Sequence, residues 1–150
     1  NKNTLMVENG GTTLISRLLE GEFINYKQII PTEFVTDVRV NKKVLETSVE
    51  RASVLARTDR IGIVKFDIKE NCMYVIAKSE IGNVNEPVNV NMEGKDILIA
   101  FNAKYITEFL KTAEDDFIRI FLNSPIAPCV IKPVNGENYL YLVLPVRINA

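Results

Sequence analysis

The sequence predicts an α+β fold made of two β-α-β-β-β halves with pseudo-two-fold symmetry. The main observation is an internal repeat, in which residues 38–45 align with residues 99–106 at a constant offset of 61 residues. Each copy reads as a strand, an Asn, a Lys two residues later and a core-facing aliphatic residue. An amphipathic helix follows each Asn, and three strand-like runs follow each helix. Two copies are too few for a solenoid, so we expect one domain with its sheets outside and its two helices side by side.

The residues before the repeat predict a β-hairpin and then a connector. Residues 4–8 and 12–19 alternate like strands, and Asn9-Gly10-Gly11 between them favours a tight turn. A lone hairpin is marginally stable in water, so we expect residues 1–20 to belong to the edge of a preceding domain. There is no initiator Met, and we expect the chain to be a fragment. Residues 21–31 are too apolar for a solvated linker, and the simplest interpretation is that they cover an edge of the core.

The first half of the repeat predicts a strand, a helix and three further strands. Residues 34–40 alternate like a half-buried strand, and the short side chain of Asn41 is suited to cap a helix over residues 42–57. The apolar stripe of this helix should face the sheet and consists of Leu45, Val49, Ala52 and Ala56. Val54 and Leu55 lie off that stripe. The three strands are expected at 61–68, 73–78 and 87–92, with polar separators at 69–71 and 79–86.

The second half predicts the same order of elements. A strand over residues 96–101 leads to Asn102, which should cap a helix over 103–113. The buried stripe of this helix is expected to be Ile106, Phe109, Leu110 and Ala113. Three strands follow at 117–122, 127–132 and 139–146, and Asn135-Gly136 should turn the final hairpin.

Composition limits the class of protein. The chain has 150 residues, of which 47% are apolar and 25% charged, as in an ordinary globular domain. No apolar run reaches the roughly 18 residues that span a bilayer, and the N-terminal residues do not resemble a secretory signal. Cys72 and Cys129 lie in strand-like runs, where we expect buried reduced thiols rather than a disulfide. These features predict a cytoplasmic protein with no membrane contact.

The sequence offers little for catalysis. It has no His and no CxxC motif, so we expect no transition-metal site and no cofactor. A Ser or Cys nucleophile would need a Lys or carboxylate base, and no motif supplies one. The acidic run Glu114-Asp115-Asp116 is typical of a solvated turn, although a metal or acid–base cluster is the alternative. The sequence therefore predicts a protein that is not an enzyme.

The two helices are basic although the whole chain has a net charge of −1. Lys43 and Lys104 occupy matching positions away from the core, and Arg51 and Lys111 add to the same side. Any single exposed Lys is typical of a solvated surface. Matched cations on paired helices instead predict a weakly basic surface that meets DNA phosphates without sequence preference.

Four motifs resemble the bacterial sliding clamp family, the β subunit of DNA polymerase III. They are Leu19-Glu20-Gly21-Glu22-Phe23, Tyr26 through Pro31, Phe101-Asn102 with Tyr105, and Leu144-Pro145-Val146-Arg147. The resemblance implies the DNA-clamp (processivity) fold. It assigns residues 1–20 to the end of the middle clamp domain, 21–31 to the connector and 32–150 to the third, C-terminal domain.

The resemblance also implies a function in DNA replication. A full-length clamp subunit forms a head-to-tail homodimer ring around double-stranded DNA and acts as a processivity factor without catalysis. It tethers DNA polymerase, clamp-loader subunits and repair proteins, which insert short peptides into a pocket between the second and third domains.

The positions that match this pocket come from four parts of the sequence. They are Ile24, Gln28, Ile29, Asn102, Tyr105, Ile126, Pro128, Leu142, Val143, Leu144, Pro145, Val146 and Arg147. The resemblance assigns Val54 and Leu55 to the subunit interface. The chain departs from a common family pattern at Ile24, where Pro often stands, and at Gln28, which replaces a basic residue of some members.

A second hypothesis remains open at this point. A freestanding module that binds nucleic acid without sequence preference, or that dimerises, would share the same repeat. A third copy of strand, Asn cap and basic helix upstream of Asn1 would favour the clamp.

Overall fold

The computed structural model describes residues 3–57 and 62–148. Within these residues there are ten strands, at Thr4–Asn9 (β1), Thr12–Arg17 (β2), Thr36–Asn41 (β3), Ile63–Lys69 (β4), Cys72–Ser79 (β5), Gly82–Gly94 (β6), Ile97–Asn102 (β7), Phe117–Leu122 (β8), Cys129–Pro133 (β9) and Tyr141–Val143 (β10). The two α-helices are Lys42–Ala56 (α1) and Ala103–Thr112 (α2), and a short 3-10 turn covers Tyr26–Gln28. No helix in the described part of the chain is long and apolar enough to cross a membrane.

The predicted hairpin is present as a separate two-stranded sheet of β1 and β2. Asn9 pairs with Thr12, which leaves Gly10 and Gly11 as a two-residue turn. Both glycines have positive φ angles, +55° and +84°, and glycine adopts this left-handed conformation at the lowest cost. Every residue of the two strands is exposed, and β2 ends at Arg17 rather than at Leu19.

The two Asn caps are confirmed. The Asn41 side-chain oxygen accepts a hydrogen bond from the Val44 N–H at 3.0 Å, and that of Asn102 accepts from the Lys104 N–H at 2.9 Å. Each cap satisfies an amide that the first helical turn leaves without a backbone partner. Both α-helices therefore begin at the residue after their Asn, and each ends one residue earlier than the sequence predicts.

The two halves of the repeat interlock through their first strands. The strand order of the larger sheet is β10-β9-β8-β3-β6-β5-β4-β7, and all pairs are antiparallel. Thus β3, from the first half, pairs with β8 of the second half, while β7, from the second half, pairs with β4 of the first. This exchange preserves the predicted pseudo-symmetry and makes neither half complete without the other.

The end of the chain connects the two edges of this sheet. β10 lies at one edge and β7 at the other. After β10 the backbone N–H of Val146 donates a hydrogen bond of 2.8 Å to the Ala100 carbonyl in β7. The sheet therefore curves until its two edges are close together.

Both helices pack on the same face of the sheet, as the repeat predicts. A single core cluster contains inward residues of the eight strands together with the predicted stripes of α1 and α2. Leu45 and Val49 of α1 correspond to Ile106 and Leu110 of α2, and all four are at most 1% exposed. Burial of such side chains supplies about 1.5–3 kcal/mol each.

Several predicted strand boundaries are wrong. β6 begins at Gly82 rather than at residue 87, because the backbone of the polar stretch pairs with β5 as far as Ser79. Its Asn side chains face solvent, and backbone pairing does not require apolar side chains. β10 contains three residues instead of eight, and Pro145, which has no N–H, lies just beyond it. β3 begins at Thr36, and residue 61 lies outside the described residues.

Two predictions about burial also need correction. Both cysteines are free, and Cys129 is buried, but Cys72 is only half-buried. Leu55 lies off the main stripe of α1 in the sequence, yet it packs partly against the core. The side of α1 that contacts the core is therefore wider than the four residues of the predicted stripe.

Candidate peptide-binding and DNA-facing surfaces

Strand β10 lies beside the first turn of α2. The Tyr141 hydroxyl donates a hydrogen bond of 3.1 Å to the Tyr105 carbonyl. Val143 pairs with Cys129, so the chain that leaves β10 at Leu144 runs next to the chain that enters β9 at Pro128. The bond from Val146 to β7 then holds the segment close to Asn102, where β7 ends. We call residues 142–147 the C-terminal segment.

Each of these elements exposes an apolar side chain. Leu144 is 63% exposed, Ile126 64% and Tyr105 50%. Half-buried neighbours complete this surface, and they are Asn102, Pro128, Leu142, Pro145 and Val146. Val143 is buried and supports the surface from within, whereas Arg147 is exposed at its end. Exposed apolar side chains on neighbouring elements are typical of a binding site.

Hydrogen bonds fix the residues that follow the connector to the loop before β9. The Asn123 side chain accepts a hydrogen bond from the Val35 N–H and donates one to the Glu33 carbonyl, at 2.9 and 2.8 Å. Asn123 precedes the loop that carries Ile126 and Pro128. Farther upstream the side chains are exposed, with Ile24 at 68%, Ile29 at 44% and Gln28 within the 3-10 turn. Among the described residues, no hydrogen bond or ring contact joins these three to the C-terminal segment.

The outward surface of the helices is a set of ion pairs rather than a row of isolated cations. Each of the four cations predicted to face DNA contacts a carboxylate: Lys43 with Glu46 at 3.2 Å, Arg51 with Glu86, Lys104 with Glu108 at 3.8 Å, and Lys111 with Glu50 at 3.1 Å. The Lys111–Glu50 pair joins α2 to α1. The spacing of Lys104 and Glu108 along one helix face is visible in the sequence, but the pairs of Arg51 and Lys111 span different elements.

Hydrogen bonds from the cations keep two of these carboxylates ionised. The Lys43 ammonium lowers the pKa of Glu46, and burial opposes this effect only partly. The Arg51 guanidinium likewise lowers the pKa of Glu86. The cations of both pairs are exposed, and ion pairs open to solvent are weak, so a phosphate can compete with the carboxylate for the same Lys or Arg.

A surface cavity of about 510 Å³ lies where the end of α1 meets the start of α2. Its walls include Arg57, Asn102, Lys104 and Lys111, so it joins two of the predicted DNA-facing residues to one predicted pocket residue. Val54, on the other predicted surface of α1, is 65% exposed, in contrast to the half-buried Leu55.

The described residues provide no group of three or more side chains placed to hold a metal ion. Burial raises the pKa of the Cys129 thiol, so this sulfur stays protonated and unreactive. The chemistry that remains at these surfaces is apolar burial, hydrogen bonding and exchange of ion-pair partners.

Comparisons with known proteins give a consistent result. Residues 27–147 match the family model described as DNA polymerase III beta subunit, C-terminal domain. The chain is 31% identical over 150 residues to a protein named Beta sliding clamp from Streptococcus pneumoniae, and the match covers 98% of this chain and 40% of that protein. It is 34% identical over 143 residues to a Beta sliding clamp from Synechococcus elongatus, with 94% of this chain and 38% of the relative covered.

Solved structures agree. The DNA polymerase III beta subunit from Thermotoga maritima is similar with a TM-score of 0.89 and 36% identity, over 98% of this chain and 40% of that one. The beta chain of DNA polymerase III from Streptococcus pneumoniae is similar with a TM-score of 0.90 and 30% identity, over 99% of this chain and 40% of that one. This chain thus spans about two fifths of the length of the relatives it matches. The predicted clamp fold is confirmed, and the chain belongs to the family of the DNA polymerase III beta subunit, C-terminal domain.

Proposed function

We propose that the chain is the C-terminal part of a sliding-clamp subunit, a cytoplasmic, non-catalytic processivity factor for DNA polymerase. In this proposal residues 1–20 end the middle domain, 21–31 form the connector and 32–150 form the third domain. The complete subunit would close as a homodimer ring around double-stranded DNA and tether polymerase, clamp-loader subunits and repair proteins through peptides.

One observation carries this proposal, namely that the C-terminal segment, the loop before β9 and the first turn of α2 each expose an apolar side chain. Leu144, Ile126 and Tyr105 come from distant parts of the sequence and remain at least half exposed at one edge of the domain. A Leu or Phe anchor of a partner peptide can bury against such a surface, and a few side chains then supply most of the binding energy. Asn102, Tyr105 and Arg147 would orient the peptide backbone.

The connector residues Ile24, Gln28 and Ile29 would form another side of the same pocket. Their exposure in this structure fits a role in which a peptide and the rest of the middle domain cover them. Val54 is exposed in the same way and would meet the neighbouring subunit of the ring.

The helix surface supports a loose, sequence-independent hold on DNA. Its cations are already paired with carboxylates, so their attraction for phosphates is moderated. A ring that surrounds DNA does not need tight contacts, because topology prevents dissociation. The freestanding nucleic-acid-binding module is the weaker alternative, since such a module would need cations without these local partners.

A chimeric clamp tests the proposed function. Residues 27–147 would replace the matching part of the Streptococcus pneumoniae protein, and primer extension on a circular single-stranded template would be measured with the cognate polymerase and clamp loader. We expect long products from the chimera and from its Lys132→Ala variant, and short products from its Leu144→Asp variant. Short products from a chimera that still forms a dimeric ring would contradict the proposal.

A further inference from the structure

A separate pocket lies at the C-terminal end of α2, away from the Asn102 cap. It is a surface cavity of about 470 Å³ between the end of α2, the turn that leads into β8 and the loop before β10. The residues that matter for its chemistry are Phe109, Glu114, Asp115, Tyr139 and Tyr141. The proposed clamp function leaves this pocket without a role.

The floor of the pocket is aromatic. The Phe109 ring stacks on Tyr141 with 4.6 Å between the ring centroids, and Tyr139 meets Phe109 edge to face at 5.9 Å. Phe109 is buried, while both tyrosines are half-buried and accessible from the cavity. The face of an aromatic ring carries negative potential and attracts cations.

The rim of the pocket is anionic. The Tyr139 hydroxyl donates a hydrogen bond of 2.8 Å to the Asp115 carboxylate, which fixes this carboxylate beside the ring. Glu114 is exposed next to it, and within the described residues no Lys or Arg forms an ion pair with either carboxylate. α2 ends at Thr112, and the last carbonyl groups of a helix add partial negative charge.

We propose that this pocket binds a single arginine side chain of a partner protein. A guanidinium group is planar, so it stacks on Tyr139 while its N–H groups donate to Asp115 and Glu114. The two carboxylates repel an anionic group. A neutral apolar side chain would cover them without neutralising their charge. The partner is a protein segment because the pocket adjoins Tyr141, which precedes Leu142 of the C-terminal segment. This last step rests on the proposed function, whereas the preference for a cation does not.

Titration of the 150-residue chain with N-acetylarginine amide tests the inference by NMR. N-acetylcitrulline amide is the matched control, since it has nearly the same shape and no charge. We expect saturable shifts of the Phe109, Tyr139 and Tyr141 ring signals with a dissociation constant of about 1–10 mM for the arginine compound. Binding of the citrulline compound should be at least about tenfold weaker, because it lacks the charge that the carboxylates attract.

Four variants complete the test. The exposed Glu114→Gln and the double variant Glu114→Gln with Asp115→Asn should weaken binding of the arginine compound progressively, while Lys132→Ala on the outer sheet face should leave it unchanged. Equal affinity for both compounds, an absence of saturable shifts, or binding that is unaffected by Glu114→Gln would overturn the inference. Leu144→Asp separates the two proposals, since it should abolish peptide binding at the C-terminal segment without changing the arginine titration.

Discussion

The backbone N–H of Val146 donates a 2.8 Å hydrogen bond to the carbonyl of Ala100, and this bond joins the end of the chain to the first strand of the second half. It connects the two edges of the larger sheet and places the C-terminal segment beside α2. Ala100 lies 61 residues after Arg39, which pairs with Asn91 in β6. β3 and β6 are the first and last strands of the first half, and they pair along their length. The corresponding strands of the second half are β7 and β10, and they do not pair directly. The Val146 bond takes the place of that pairing.

The first prediction concerns this bond. Val146→Pro removes the N–H and should lower the free energy of unfolding by about 0.5–1.5 kcal/mol, the usual net value of one backbone hydrogen bond. It should also weaken peptide binding, because the C-terminal segment loses its attachment to β7. Urea unfolding measures the first effect. Val146→Ala keeps the N–H and serves as the control, and an equal loss in both variants would assign the effect to the side chain.

The second prediction concerns the peptide surface. A Gln/Leu/Phe-type peptide should shift the NMR signals of Ile29, Tyr105 and Leu144, and Leu144→Asp should abolish these shifts, because a carboxylate cannot be buried against an apolar anchor. Lys132→Ala should have no effect. The 150-residue chain should bind more weakly than a complete clamp, since in the proposed function the middle domain supplies the rest of the pocket. Shifts confined to residues 62–92, with Leu144 unchanged, would place the site elsewhere.

The third prediction concerns DNA. Because the helix cations are ion-paired, duplex DNA should bind with a dissociation constant of roughly 10⁻⁴ M or weaker at physiological salt, and added salt should weaken it further. Glu50→Gln frees Lys111 from its partner and should strengthen binding, whereas Lys111→Ala should weaken it. Fluorescence anisotropy with a labelled duplex measures both. Submicromolar, sequence-specific binding would favour the freestanding module instead.

The fourth prediction separates surface from core on α1. Val54→Ala should leave the free energy of unfolding nearly unchanged, because the side chain is 65% exposed, whereas Leu45→Ala should lower it by about 2–5 kcal/mol.

Light scattering should find the 150-residue chain mainly monomeric, because it supplies only one side of the proposed subunit interface. A stable ring-shaped dimer of this chain would contradict that interface.

The fifth prediction concerns acid. The folded-state pKa of Glu46 lies below its ordinary value of 4.5, so the pair with Lys43 stabilises the fold above that pH. This contribution is lost as the pH falls through the lowered pKa, because the folded state must then take up the proton. Glu46→Gln should therefore lose less stability than the unaltered chain between pH 6 and pH 3, as measured by urea unfolding. If the free energy of unfolding fell equally with pH in both proteins, Glu46 would not contribute to the acid sensitivity of the fold.

The sequence alone determined the local structure of this protein and its pseudo-symmetry. Asn41 and Asn102 cap their helices within three residues of themselves, and Gly10-Gly11 turn the hairpin between adjacent strands. The stripes of α1 and α2 follow from a fixed helical period. These features depend on neighbours in the chain, so residue type and spacing are sufficient to predict them.

Only the tertiary structure decided which distant residues meet. The pairing of β3 with β8, the ion pair between Glu50 and Lys111, and the aromatic pocket around Phe109 join residues 30 or more positions apart. The polar side chains of residues 82–86 did not indicate the start of β6, because strand pairing uses backbone groups that every residue except Pro carries. Such contacts depend on how a curved sheet folds around two helices, and no local pattern of residues encodes that geometry.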